Sequence, residues 1–308
     1  MKYAFLYAGQ GSQHAGMGKD LYEAFETFRS SIDESAAVLD FDLKKVMFED
    51  PDGVINQTRY TQPVMAAFAV AMTKLLKEKG ISPSVAAGLS LGEYAALYAA
   101  GVFDAETVVR TVAFRGAAME EAAEGIDCAM NAVLGLDREK LKAACDKASD
   151  EGVVVMANLN CPGQIVIGGE KKAVEIASEY AIELGARRAM PLKVSGPFHT
   201  PFMAPAGEKL KNYFKDISFG SEQIPVIYNC LGTEKKPEDK TEELLIKQVQ
   251  SSVFMEDSIR TIAGMDIDMI IEIGPGSVLS GFVKKTTKDV PVISVETVKD
   301  LEKIDGLQ

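Results

Sequence analysis

The chain has 308 residues, enough to bury a full core as one large domain or two, and its 47% hydrophobic and 25% charged residues are those of a globular protein. A net charge of -12 excludes non-specific nucleic-acid binding, which depends on excess Lys and Arg, and no apolar stretch approaches the roughly 20 residues a membrane-spanning helix needs. The four cysteines, Cys128, Cys145, Cys161 and Cys230, form no CxxC pair and accompany only two histidines, so free thiols and no metal site are expected.

The apolar run "KYAFLYA" breaks at Gly9, as a buried parallel strand feeding a loop would, and it is too short for the core of a signal peptide; a cytoplasmic protein is expected. "TQPVMAAFAVAMTKLLKEKG" has helix formers, a basic last turn and Gly80 at its stop, and predicts a long buried helix. "SVAAGL" is a short strand into Ser90, followed by the helix "GEYAALYAAG". Asp104 is placed to cap the next helix, which ends at Gly125.

From there the pattern changes to strand, helix, strand, strand, helix, strand: "AMNAVLGL", "DREKLKAACDKAS", "GVVVMANL", "QIVIGG", "KKAVEIASEYAIELG" and "RRAMPLKV". That is the order of a ferredoxin-like βαββαβ unit. It predicts a small subdomain at 126–194, inserted into a larger α/β domain of 1–125 and 195–308. The larger domain resumes with the helix "HTPFMAPAGEKLKNYFKD" and the strand "IPVIYN", then helices near 241–264, the strand "DMIIEI", a helix after "GPGS" and the strand "VPVISV". Strands alternating with helices predict a mostly parallel sheet covered on both faces.

Ser90 lies in "GLSLG", a GxSxG spacing in the strand, sharp turn and helix order that a nucleophilic serine requires. A serine hydroxyl needs a base, and only His14 and His199 are available; His14 lies in a polar loop, whereas His199, in "VSGPFHT", follows a strand. Acyl transfer also needs donors for an oxyanion, and "AGQGSQ" supplies flexible backbone directly after the first strand. Its spacing is neither GxGxxG nor that of a P-loop. Arg115, taken alone, reads as a surface arginine on the helix after Asp104.

Seven motifs in order, "YAGQGSQHAGMG", "TRYTQP", "GLSLGEYAAL", "RG" with Met119, "NLNCPGQIVIGG", "VSGPFHT" and "EIGPGSVLSGF", resemble the malonyl-CoA:acyl carrier protein transacylases, to which polyketide synthase acyltransferases are similar. The resemblance runs from Tyr7 to about Phe282 and implies an α/β-hydrolase-like core with the ferredoxin-like insertion. It implies Ser90 as acyl-carrying nucleophile, His199 as base, and the backbone N–H groups of Gln10 and Leu91 as oxyanion hole. Arg115 would hold the free carboxylate of a malonyl group, with Gln62, Met119, Phe198, Asn160 and Gln164 lining the site. Phe198 matches the malonyl-selective pattern, where relatives taking methylmalonyl tend to have serine.

In such enzymes a backbone carbonyl, not an acid, orients the histidine. Ser251 in "QVQSSV" aligns there with Gln248 close by, although the usual asparagine and proline are Ser251 and Ser252 here. Leu89 stands where many relatives have histidine and predicts altered packing beside Ser90. The implied substrates are malonyl-CoA and holo acyl carrier protein, with no cofactor and no metal, in a monomer. Three rivals are a polyketide-synthase acyltransferase, an acyl-thioester hydrolase drawing an acid from Asp104, Asp127, Asp137, Asp146 or Asp150, and a carrier-protein or acyl-CoA binding module. Arg187, Arg188 and Lys193 form a basic patch suited to an anionic carrier.

Overall fold

The computed structural model describes residues 1–305. In chain order the elements begin with β1 (Tyr3–Tyr7), α1 (Lys19–Ala24), α2 (Glu26–Ala37), α3 (Leu43–Phe48), α4 (Thr58–Glu78), β2 (Pro83–Gly88), α5 (Gly92–Ala99) and α6 (Ala105–Ala123). Then come β3 (Cys128–Leu134), α7 (Arg138–Ala148), β4 (Val154–Cys161), β5 (Gln164–Glu170), α8 (Lys171–Glu183) and β6 (Arg188–Pro191). The remainder is α9 (Ala204–Tyr213), β7 (Val226–Ile227), α10 (Thr241–Gln248), α11 (Met255–Ala263), β8 (Met269–Ile273), α12 (Val278–Thr286), β9 (Val292–Val295) and α13 (Val298–Asp305).

The chain divides into two compact units, the first of residues 1–117, 217–227 and 261–308, the second of 118–216 and 228–260. The first is built on a five-stranded sheet in the order β7-β2-β1-β8-β9, every pairing parallel. All five residues of β1 and of β8 are buried, as expected of strands covered on both faces. Glu272 is the exception in chemistry and not in burial: its carboxylate accepts from the Leu279 and Ser280 N–H groups and from the Ser294 hydroxyl. A buried charge at the start of α12 is thereby satisfied by donors the helix end leaves open. In register, Tyr7 sits opposite both Gly88 and Ile273, so the loops after β1, β2 and β8 leave the sheet at one level.

The second unit holds a four-stranded antiparallel sheet in the order β4-β5-β3-β6, the order of a ferredoxin-like βαββαβ unit. Val133, Leu159, Ile165 and Ile167 from its strands pack against Leu141 and Ala144 of α7 and Val174 and Ala177 of α8. Here the architecture is broader than the 126–194 segment suggests. Residues 228–260 also belong to this unit: Val253 lies beside β4, donating to Ala157 O at 2.9 Å and accepting from Leu159 N–H at 2.8 Å.

Other local readings shift as well. The strand expected at "IPVIYN" shortens to Val226–Ile227, and the helix after His199 is interrupted at both ends by 3-10 turns, Pro201–Met203 and Phe214–Asp216. The long helix starts at Thr58 and carries Pro63 inside it. Asp104 does cap α6, accepting from the Thr107 N–H at 2.7 Å.

Candidate active site

Ser90 follows β2 after Leu89 and has φ 55°, one of three non-glycine residues with positive φ among the described residues; His199, with φ 61°, is another. Left-handed backbone is costly for a residue with a Cβ and persists only where the surroundings impose it. Around Ser90 they do. A Cβ on Gly88 would lie 2.1 Å from the Gly92 carbonyl carbon, and one on Gly92 would lie 2.4 Å from the Tyr7 carbonyl oxygen. Both glycines of GxSxG are therefore required by close backbone approach, and the tight turn leaves the serine at its apex.

The β1 loop comes equally close. A Cβ on Gly9 would meet the Leu89 carbonyl oxygen at 2.7 Å, and Leu89 N–H donates to Tyr7 O at 2.9 Å, so the segments bearing Gln10 and Leu91 lie side by side. Leu89 packs its own side chain onto Gly9. The Gln10 side chain donates to Thr58 Oγ1 at 3.2 Å, which ties the loop to the start of α4. His14 does not join this cluster; its imidazole Nε2 lies 2.5 Å from Glu296 Oε1, with the ring half exposed.

Arg115 is fully buried, in contrast to what its helix position suggests. Its Nη1 donates to Gln62 Oε1 at 2.8 Å and its Nη2 to Ser90 Oγ at 3.0 Å. Burial draws the guanidinium below its ordinary value, and Tyr94 and then the Glu93 carboxylate oppose that shift. Sequence reasoning missed Glu93 and Tyr94 here; their only signal was a buried carboxylate and an aromatic in the turn just after the serine. Ser90, Gln62 and Arg115 thus gather within the first unit.

His199 belongs to the second unit and is 4% exposed. Its N–H donates to Val249 O at 3.2 Å and its Nδ1 to Gln248 O at 2.9 Å. A carbonyl can only accept, so Nδ1 carries a proton, which in the neutral imidazole leaves the lone pair on Nε2. The bond falls on Gln248, at the end of α10, and not on Ser251, whose hydroxyl donates instead to Lys247 O. A main-chain carbonyl stands in that place. Asp104 and Asp137 are occupied as helix caps and Asp146 is paired with Lys142.

Phe198 is buried with its ring against Gly196, and Met119 is buried on α6. Asn160, on β4, is 7% exposed, and its Oδ1 has no hydrogen-bond partner; Gln164 opens β5, half buried. A buried carbonyl oxygen left open is costly unless a ligand or water fills it. Among the described residues no three His, Cys, Asp or Glu side chains gather as metal ligands would, all four cysteines are free thiols, and no helix is long and apolar enough to cross a membrane.

The acyl transferase domain matches residues 4–304. Along 302 residues, 98% of this chain and 95% of the other, the sequence is 44% identical to the malonyl CoA-acyl carrier protein transacylase of Bacillus subtilis strain 168. The fold is similar to the crystal structure of malonyl CoA-acyl carrier protein transacylase from Clostridium perfringens, with TM-score 0.96 and 41% identity over 100% of this chain and 97% of that one. It is also similar, at TM-score 0.96 and 36% identity over the whole of both chains, to a malonyl-transacylase solved in complex with its type II PKS acyl carrier protein.

Proposed function

The chain belongs to the acyl transferase family, and on that premise we propose that it transfers the malonyl group of malonyl-CoA to the phosphopantetheine thiol of acyl carrier protein, in fatty acid synthesis. The observation that carries this reading is the buried Arg115 with Nη2 on Ser90 Oγ. A cation fixed beside a nucleophile is what an acyl group ending in a carboxylate needs, since a planar guanidinium pairs with it by two charge-assisted hydrogen bonds. An acetyl group has no carboxylate to form that pair and forgoes the binding the site offers.

In the first half-reaction Ser90 Oγ attacks the thioester carbonyl while His199 Nε2 takes its proton. The oxyanion is held by the N–H groups of Gln10 and Leu91, and the thiol of coenzyme A leaves with the proton from His199. In the second, the carrier's thiol gives its proton to the same nitrogen and attacks the malonyl ester, and His199 returns that proton to Ser90 Oγ as it leaves. The reaction is ping-pong and uses only groups of the chain, the coenzyme A thioester and the carrier's thiol, so it calls for no cofactor or metal. Phe198 fills the position that would favour malonyl over methylmalonyl.

The carrier is proposed to dock on the outer edge of β6. Arg187, Arg188 and Lys193 are exposed there, residues 184–207 contain no Asp or Glu although the chain carries -12 overall, and Met190, Leu192 and Val194 stand exposed among the cations. Such a surface suits an acidic partner with some apolar contact. Four free thiols suit a reducing cytoplasm, and Ser90, Arg115 and His199 come from one chain, so a monomer suffices.

Intact mass spectrometry tests the whole scheme. Malonyl-CoA alone should add one malonyl group to Ser90, and holo carrier protein should remove it onto its own thiol. An adduct lost to water at the same rate without carrier would make the chain a hydrolase, and no adduct would leave only a binding module.

A further inference from the structure

The carboxylate-facing arginine rests on an aromatic column. Tyr94, four residues after Ser90 on α5, is wholly buried, and its ring centre lies 5.5 Å from the Arg115 guanidinium carbon. That ring is parallel to Phe103, with 8° between planes and 6.4 Å between centroids, and Phe103 meets Phe219 at 5.1 Å. All four residues lie in the first unit.

An arginine side chain has many rotamers and loses them at a cost when it must hold one geometry. Here two constraints are already in place. Gln62 Oε1 fixes one end of the guanidinium through Nη1, and the Tyr94 ring lies beneath it, where a weakly hydrated planar cation is attracted to the aromatic face. The choice of an aromatic support matters. Burial pushes the Tyr94 phenol up, so the ring stays uncharged and supports the cation without neutralising it.

We propose that Tyr94, backed by Phe103, is a specificity-positioning residue: its ring holds Arg115 where the distal carboxylate of the acyl group arrives, and so sets the preference for malonyl over acetyl thioesters. This rests on the reading of Arg115 as partner of that carboxylate. Without the ring, the guanidinium relaxes toward other acceptors, malonyl binding weakens, and the advantage of malonyl over acetyl shrinks.

The test is the ratio of kcat/KM for malonyl-CoA to that for acetyl-CoA. Tyr94→Leu should lower it roughly tenfold, mainly through KM for malonyl-CoA, the size a buried cation–aromatic contact supports. Tyr94→Phe, which keeps the ring, should retain the discrimination, and Phe103→Leu should lower it in the same direction by less. In an Arg115→Ala background Tyr94→Leu should change the ratio no further. A Tyr94→Leu variant that loses both thioesters equally, or keeps the ratio while Arg115→Ala collapses it, overturns the proposal and spares the reading of Arg115. A ratio unchanged in Arg115→Ala overturns that reading, and the role of Tyr94 with it. Should Tyr94→Leu fail to fold, Phe103→Leu decides: an unchanged ratio there overturns the proposal.

Discussion

Ser90 and His199 share an uncommon backbone, left-handed φ values of 55° and 61°, and reach it by different means. The serine is forced there by the glycines on either side, Gly88 packed on Gly92 within the turn and Gly92 packed on the Tyr7 carbonyl of β1. Gly88 and Gly92 admit backbone so close that neither tolerates a Cβ, and the turn between strand and helix has no slack. The histidine is held from a distance: its N–H and ring both bond to carbonyls of residues 248 and 249, about 50 positions along the chain. Thr200 Oγ1 adds a bond back to Pro197 O at 2.5 Å. One strained residue is thus held by close backbone packing of two flanking glycines and the other by hydrogen bonds to a distant segment, and the two should fail differently when altered.

The largest effect is expected at the nucleophile. Ser90→Ala should abolish the malonyl adduct and lower turnover by roughly 10⁴-fold or more, as removal of a catalytic serine does elsewhere. Rapid-quench and steady-state assays read both. At the histidine, Asn tolerates left-handed backbone and a β-branched residue does not. His199→Asn should therefore keep the thermal midpoint while losing roughly 10³-fold in rate, whereas His199→Val should also lose stability; equal midpoints would show that the loop is not strained.

Next comes Gly92→Ala. Its Cβ would lie 2.4 Å from Tyr7 O and 2.9 Å from Ala8 O, both backbone atoms, so about 2 kcal/mol of stability should be lost in denaturant titrations. Ser251→Ala should change turnover less than about twofold, because deleting one half-exposed side-chain hydrogen bond costs little. The smallest effect separates two thiols of the second unit. Burial pushes the Cys145 thiol up to about 12, and Cys128 is raised less far and partly exposed, so iodoacetamide at neutral pH should label Cys128 slowly and Cys145 not at all.

The same contrast explains what the sequence made legible. GxSxG, the glycine-rich loop and the βαββαβ order are local patterns, and the structure has them where those patterns lie. Arg115 was legible only through resemblance to a family, because its helix neighbours describe an ordinary exposed arginine, yet the fold buries it completely. The extent of the second unit was not legible either. It depends on Val253 joining β4 through a parallel bridge to Asn158, a pairing across 95 residues that no periodicity encodes. α1, α2 and α3 escaped because helices of six and twelve residues carry little pattern of their own. Tyr94 read as one more apolar position of a buried helix.

The partner of His199 Nδ1 is a main-chain oxygen, and that has a consequence for any survey of variants. No codon specifies it. Replacing Gln248 by any other residue leaves a carbonyl at the same point in the chain, so a saturation scan scored for activity would register the packing of the 248 side chain and pass over the group that orients the base. Only changes that displace the end of α10, an inserted residue or a proline among them, would expose it. A site half written in the backbone keeps part of its machinery beyond the reach of point mutation.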